Sequence, residues 1–276
     1  MKRSILTAVL LLVCTGTASA DKSQYHLLSP VPRDLMRELS TDRPDTTESP
    51  YTVDAGHVQA EMSFIDYTRE SEDGETVETF RVLPMNLKAG LLNHVDLQLV
   101  FDAYVEEETA FGGDSDTASG FSDTQLRLKI NFWGNDGGRT AFAFMPFVQF
   151  PTAGDDLGND HLEGGLIFPF AVELTEETGL GLMAEIDFVR NEEDTDYEVD
   201  LVHTAVFGLT IAGELGGYLE YVGVFPGESG VDYIVMPGAG LTYGLTPDIQ
   251  LDAGVGVGLT DDADDFNIFT GISVRS

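Results

Sequence analysis

The sequence predicts an all-β protein, a closed antiparallel up-and-down transmembrane β-barrel of about twelve strands. Three observations support this prediction. Segments of about ten residues alternate between apolar and polar positions from residue 57 onward, and no run of about 18 apolar residues follows residue 20. The connections alternate between short turns and longer, acidic loops. Strands that cross an outer membrane have this combination of alternation, short turns and long loops.

Residues 249–259, IQLDAGVGVGL, display the alternation plainly. The odd positions are Ile, Leu, Ala and Val, whereas the even positions are Gln, Asp and Gly. Such a strand has one apolar face and one polar or bare face. We expect lipid to cover the apolar face, because a closed sheet satisfies its backbone groups without water. The predicted strands are 57–68, 79–91, 94–105, 122–133, 139–150, 162–174, 179–190, 198–211, 215–225, 231–243, 248–259 and 265–275.

The connections assign the two ends of the barrel. An even strand count places both termini on the periplasmic side, so the longer acidic loops are predicted to be extracellular. Aromatic residues lie near strand ends, where an interfacial girdle is expected, at Tyr67, Phe121, Phe132, Trp133, Phe150, Phe225, Tyr243 and Phe266. A soluble antiparallel barrel or sandwich in the periplasm is the alternative, since aromatic strand ends alone do not exclude it.

The N-terminus predicts export. Lys2 and Arg3 precede an apolar run at 5–14 and an A-x-A site at 18–20. This pattern is typical of a Sec signal peptide over residues 1–20, which directs the chain to the outer membrane of a Gram-negative cell. An uncleaved anchor is the alternative. Domain limits follow: a periplasmic N-terminal segment at 21–56 and the barrel at 57–276.

Charge and cysteine content exclude several functions. The formal net charge is −34, so nucleic acid is excluded as a partner. Cys14 is the only cysteine, and it lies inside the predicted signal peptide. It is also the candidate for a lipoprotein cysteine, but Val13 precedes it where that motif has a small residue. The chain from residue 21 therefore lacks disulfides, zinc–thiolate sites and a cysteine nucleophile.

One segment carries a family resemblance. Residues 38–64, ELSTDRPDTTESPYTVDAGHVQAEMSF, resemble the opening motif of the outer-membrane proteins named for the MetA pathway of phenol degradation. Further matches are Pro151-Thr152, His203-Thr204 and GYLEYVG at 217–223. The resemblance implies a barrel that moves small molecules, with aromatic compounds as one candidate class, and it carries no active-site residue. Ser276 departs from the usual terminal aromatic residue, which the barrel-assembly machinery reads, and this departure bears on the efficiency of assembly.

The polar positions of the strands predict the lumen. Strands one to four supply charges of both signs, and the later strands supply mainly carboxylates. This pattern favours a water-filled passage for cations or neutral polar solutes, with a structural lumen of mutually satisfied charges as the alternative. The candidate lumen-lining residues are Glu61, Arg81, Lys88, Asp96, Asp102, Arg127, Lys129, Glu185, Asp187, Asp200, Glu220 and Asp252.

The N-terminal segment at 21–56 is a candidate partial plug. It contains proline and lacks strand alternation, and Arg33, Arg37 and Arg43 are placed to face the acidic wall. An unstructured periplasmic lead is the alternative. The sequence thus predicts an outer-membrane channel for passive passage of small solutes, and the alternative is a structural or adhesive barrel without transport.

Enzyme activity is not predicted. His203 shares its parity with lipid-facing neighbours, as a phospholipase would require, but no G-x-S-x-G elbow accompanies it, so we assign no catalytic residue. We also assign no metal site and no cofactor, because the acidic loops lack EF-hand spacing. Those loops are expected to meet solvent, or lipopolysaccharide phosphates through divalent ions. The expected partners are therefore outer-membrane lipid, lipopolysaccharide, an unidentified small solute and the assembly machinery.

Overall fold

A computed structural model describes residues 22–72, 74–154, 157–158, 160–191 and 196–276. The predicted signal peptide lies outside these residues. Besides a short 3-10 helix at Arg33–Leu35, the strands are β1 (Val58–Glu72), β2 (Glu75–Leu92), β3 (Val95–Phe111), β4 (Asp114–Gly120), β5 (Thr124–Trp133), β6 (Thr140–Phe150), β7 (Glu163–Thr175), β8 (Thr178–Arg190), β9 (Tyr197–Ala212), β10 (Leu215–Phe225), β11 (Ile234–Thr246), β12 (Ile249–Val257) and β13 (Phe266–Arg275).

The sheet closes into a barrel. Sequential strands pair antiparallel, β1 pairs with β13, and β2 pairs with β3. Twelve strands form the wall, while β4 pairs only with the upper half of β3 and extends that hairpin. The predicted all-β closed antiparallel barrel is confirmed, and each predicted segment corresponds to one wall strand. Among the described residues, no helix has the length and apolar character needed to cross a bilayer.

Side-chain exposure follows the two-residue period. In β12, Val255 and Val257 are more than 40% exposed, whereas Asp252 on the opposite face is 4% exposed. Large apolar side chains therefore line the outside of the barrel, and polar side chains are buried inside it. Outward aromatic rings of neighbouring strands pack together near the strand ends, as in the tilted pair Tyr67–Phe266 and the stacked pair Phe132–Phe142.

The first hairpin is irregular where Phe64-Ile65 and Val82-Leu83 break the alternation of the sequence. Met62 pairs with Met85 and Asp66 pairs with Arg81, and the regular pairing of β1 with β2 is interrupted between these two pairs. Leu83 has a φ of 53°, and β1 shifts its register on β13 at the same level. The bulge turns two consecutive side chains outward. Above it, the odd and even positions of β1 and β2 therefore exchange faces of the sheet.

The longer connections differ from the prediction at two places. Much of 69–78 and 105–120 is strand, since β1, β2, β3 and β4 continue past the end of the other strands. These extensions lack apolar alternation because both of their faces meet water, so they were predicted as loops.

The N-terminal segment (residues 22–57) enters the barrel. Residues 42–54 contact inward side chains of β1, β2, β3, β5, β9, β10 and β12. Strands this far apart around the wall are reached together only from inside the barrel.

Candidate functional site

Side chains from three wall strands hold Asp42 of the N-terminal segment. Its carboxylate forms ion pairs with Nζ of Lys88 on β2 and Nζ of Lys129 on β5, the latter at 2.5 Å. Gln98 of β3 donates a further hydrogen bond to it at 3.4 Å. Lys129 is fully buried and Lys88 is 4% exposed. Two buried cations from separate strands therefore converge on a single carboxylate of the segment.

Carboxylates of the barrel wall hold the backbone of the segment. Glu61 of β1 accepts hydrogen bonds from the backbone N–H of Asp42 and of Arg43, both at 3.0 Å, and also pairs with Lys88. Asp96 of β3 accepts the N–H of Val53 at 3.0 Å. These contacts satisfy irregular backbone inside the barrel, where an unpaired N–H would cost free energy.

Arg43 occupies a fitted position on the inner wall. Its guanidinium donates to both carboxylate oxygens of Asp252 on β12, at 2.7 and 3.3 Å, and to the hydroxyl of Ser63 at 2.7 Å. The guanidinium carbon of Arg43 lies 5.5 Å from the centroid of the Phe269 ring. A Cβ on Gly271 would lie 2.4 Å from an Arg43 nitrogen, so glycine there leaves room for the side chain.

The turn of the segment reaches the acidic strands. Glu220 of β10 accepts the backbone N–H of Thr46 at 2.9 Å, the N–H of Thr47 at 2.8 Å and the Thr47 hydroxyl at 2.6 Å. The hydroxyl oxygens of Thr47 and Thr204 lie 2.6 Å apart. Backbone N–H groups and a hydroxyl, rather than cations, thus supply the hydrogen bonds to this carboxylate of the acidic wall.

Glu48 connects the segment to the opposite wall. Its carboxylate lies 2.5 Å from Arg127 of β5. Its backbone N–H points to the sulfur of Met183 at 3.4 Å. Met183 packs with Met145 and Ile167 in a dry apolar patch on the inner wall. The segment therefore covers both polar and apolar parts of the lumen.

Arg33 and Arg37, unlike Arg43, form ion pairs at the short-turn end of the barrel. Arg33 pairs with Asp248, and Arg37 pairs with Asp54 at 3.2 Å and Asp136 at 3.5 Å. Although burial raises the pKa of Asp136, hydrogen bonds from Asn93 and Lys22 outweigh it and leave the pKa below its ordinary value. Of the three arginines, Arg43 pairs with Asp252 on an acidic strand, whereas Arg33 and Arg37 pair with acidic residues at the short-turn end.

The remaining candidates lie nearer the long loops. Arg81 lies 3.6 Å from both Asp66 and Asp102. Asp187 and Asp200 are partners across β8 and β9, and Asp200 accepts the N–H of Gly227 at 2.8 Å. Their described hydrogen bonds and ion pairs are made within the barrel and its loops.

A cavity of about 700 Å³ lies between the N-terminal segment and strands β7 to β12, at the short-turn end. Its wall includes Arg43, Asp45 and Tyr51 of the segment. Part of the lumen beside the segment is therefore open. Within the described ranges, no group of three or more His, Asp or Glu residues is arranged to hold a metal ion.

Asp42, Thr47, Glu48 and Asp54 were missed as site residues by sequence reasoning. That reasoning considered only the cations of the segment, whereas its carboxylates make most of the ion pairs with the wall. The available signal was the acidic content of STDRPDTTES at 40–49, set against Lys88, Arg127 and Lys129 on predicted inward positions.

A family model described as "Putative MetA-pathway of phenol degradation" matches residues 41–276. The chain belongs to this family. The match begins at the STDRPD motif and includes every wall strand, so the family covers both the lumen-entering segment and the barrel. No curated protein matches the sequence.

Solved structures confirm the fold of this MetA-pathway family member. An outer membrane channel from Pseudomonas putida F1 is 13% identical, with a TM-score of 0.64 over 86% of this chain and 100% of that one. The β domain of the Bordetella autotransporter BrkA is 15% identical, with a TM-score of 0.50 over 79% of this chain and 98% of that one. At these identities the likeness shows a shared barrel fold.

Proposed function

We propose that this protein is a passive outer-membrane channel for small solutes, and that its N-terminal segment is a plug for the lumen. The observation that carries the proposal is a polar barrel interior occupied by a segment that is joined covalently to the wall only where it runs into β1, and that ion pairs and hydrogen bonds hold elsewhere. Ion pairs and hydrogen bonds of this kind can break and re-form, so the segment can leave the lumen. A barrel with a purely structural role gains nothing from a segment that can leave. The P. putida structure of similar fold is described as a channel, which supports the same function.

The solute class follows from the lumen and the family. The lumen-lining residues are charged, yet Met145, Ile167 and Met183 form an apolar patch under the plug. When the plug moves, this interior offers both polar and apolar contacts. It suits small solutes of mixed character, and the family description links such proteins to phenol degradation.

Conductance in planar bilayers tests the proposal. We expect discrete single-channel steps from the full chain, and larger steps from a variant lacking residues 22–54, because the deletion removes the plug and its contacts. The heat-dependent gel mobility of folded barrels controls for folding. A folded full chain without conductance would contradict a passive passage and would favour a structural or adhesive barrel.

A further inference from the structure

Four strands rise above the membrane-facing wall at the long-loop end. Tyr67 of β1 and Phe80 of β2 are cross-strand partners on the outer face. The ring centroids of Tyr67 and Phe266 lie 5.7 Å apart. Beyond these rings β1 continues to Glu72, and β2 begins at Glu75. Five further residues of strand extend about 17 Å. With the upper half of β3 and with β4, they form a projecting sheet, which we name the mouth sheet.

One face of the mouth sheet carries only negative charge. Residues paired across β1, β2, β3 and β4 form rows that run across the sheet. The pairing shows which rows point to the same side of the sheet as Asp66 and Arg81, that is, inward. The inward positions of the three rows above Arg81 contain no Lys or Arg. They contain the carboxylates Glu70, Glu72, Glu75, Glu107, Asp114 and Asp116.

This face is turned toward the barrel mouth. At its base Val105 is 6% exposed, and a Cβ on Gly120 would lie 3.3 Å from Leu157 of the loop after β6. Burial raises the pKa of Glu70, and the neighbouring carboxylates Asp264 and Glu72 add to this rise. The loop before β13 thus adds charge of the same sign beside β1.

Acidic side chains flank Arg81, which lies just below the mouth sheet. Among the described residues, it is the one cation on the inward side of β1 to β3 near the entrance. Arg81 lies between Asp66 and Asp102, so its charge is already matched. By contrast, the outward face of the same sheet carries Arg69, which pairs with Glu78 at 3.6 Å. The two faces therefore differ in charge although they share the same strands.

We propose that the inward carboxylates of the mouth sheet set the charge selectivity of the channel, so that cationic and neutral solutes enter in preference to anions. A concave surface of one sign raises the local concentration of the opposite ion, and rings of acidic side chains select cations in channels. The proposal rests on the proposed channel function and specifies its solute class.

The two faces supply a matched experiment. The inward triple variant carries Glu70→Gln, Glu75→Gln and Glu107→Gln, and the outward control carries Glu78→Gln, Glu106→Gln and Glu108→Gln. Each removes three charges from the mouth sheet. Reversal potentials in a KCl gradient report the ratio of potassium to chloride permeability.

We expect the inward triple to lower this ratio about threefold near 0.1 M salt, and the outward control to leave it close to that of the unmodified chain. The difference should vanish near 1 M salt, where the Debye length is about 3 Å. If the unmodified chain conducts and both triples have the same ratio, the role of the mouth sheet is wrong while the channel function stands. A folded, unmodified chain that passes no ions contradicts the channel function itself.

Discussion

Replacing Asp42 with asparagine is expected to free the N-terminal segment from the lumen and to raise single-channel conductance toward that of the variant lacking residues 22–54. The substitution leaves Lys129 with Glu48 as its nearest carboxylate, at 4.0 Å. Removing one partner of a buried ion pair costs about 3–5 kcal/mol, because the remaining charge stays buried without compensation. That cost favours the displaced segment by a factor of about one hundred or more.

A matched control is available on the same segment. Asp34 is exposed in the short 3-10 helix, so Asp34→Asn removes the same charge without breaking a buried pair. We expect the control to conduct as the unmodified chain does and to keep its resistance to protease within residues 22–57. Equal conductance and equal protease resistance for Asp42→Asn and Asp34→Asn would contradict the role of Asp42 as the anchor of the plug.

The wall of the barrel was predictable because its signal is local. Each strand such as β3 or β5 alternates along its own sequence, and lipid outside with polar contacts inside imposes the same period on every strand. The bulge was predictable for the same reason, since Phe64-Ile65 and Val82-Leu83 break the alternation at opposing positions. The hairpin of β4 was not, because DSDTASG meets water on both faces and carries no apolar period.

The contacts of the lumen were only partly predictable because they are not local. The alternation along each strand assigns Lys88, Lys129 and Asp252 to the inward face, but it does not specify which residues they pair with. Arg43 is 209 residues from Asp252, and Asp42 is 87 residues from Lys129. A segment without strand periodicity gives no register from which such pairs can be derived.

The separation of charges on the segment has a physical reason. Arg37 lies 12% exposed at the base, where the short turns carry Asp136 close to it. Deeper in the barrel the segment presents Asp42 and Glu48 to the cationic strands and a single arginine to Asp252. Asp42, Arg43 and Glu48 thus each meet a charge of opposite sign on the wall, whereas the sequence pattern predicted only pairs between the cations of the segment and the acidic strands.

A reversible crosslink is expected to lock the plug. The hydroxyl oxygens of Thr47 and Thr204 lie 2.6 Å apart, so cysteines at both positions bring their sulfur atoms near the 2.0 Å spacing of a disulfide. Cys14 is the only native cysteine and lies in the predicted signal peptide, so the new pair has no competitor in the described residues. Placed in the Asp42→Asn background, Thr47→Cys with Thr204→Cys should hold conductance at the level of the unmodified chain under oxidising conditions.

Reduction of the same membrane-inserted protein should then restore the high conductance, because only the covalent link holds the segment against the wall. The single variants Thr47→Cys and Thr204→Cys, each with Asp42→Asn, control for the substitutions and should conduct equally before and after reduction. Mass spectrometry of the non-reduced protein establishes that the disulfide is present. High conductance with the disulfide intact would mean that Asp42→Asn opens the lumen by a change in the wall, and would exclude displacement of the segment as the cause.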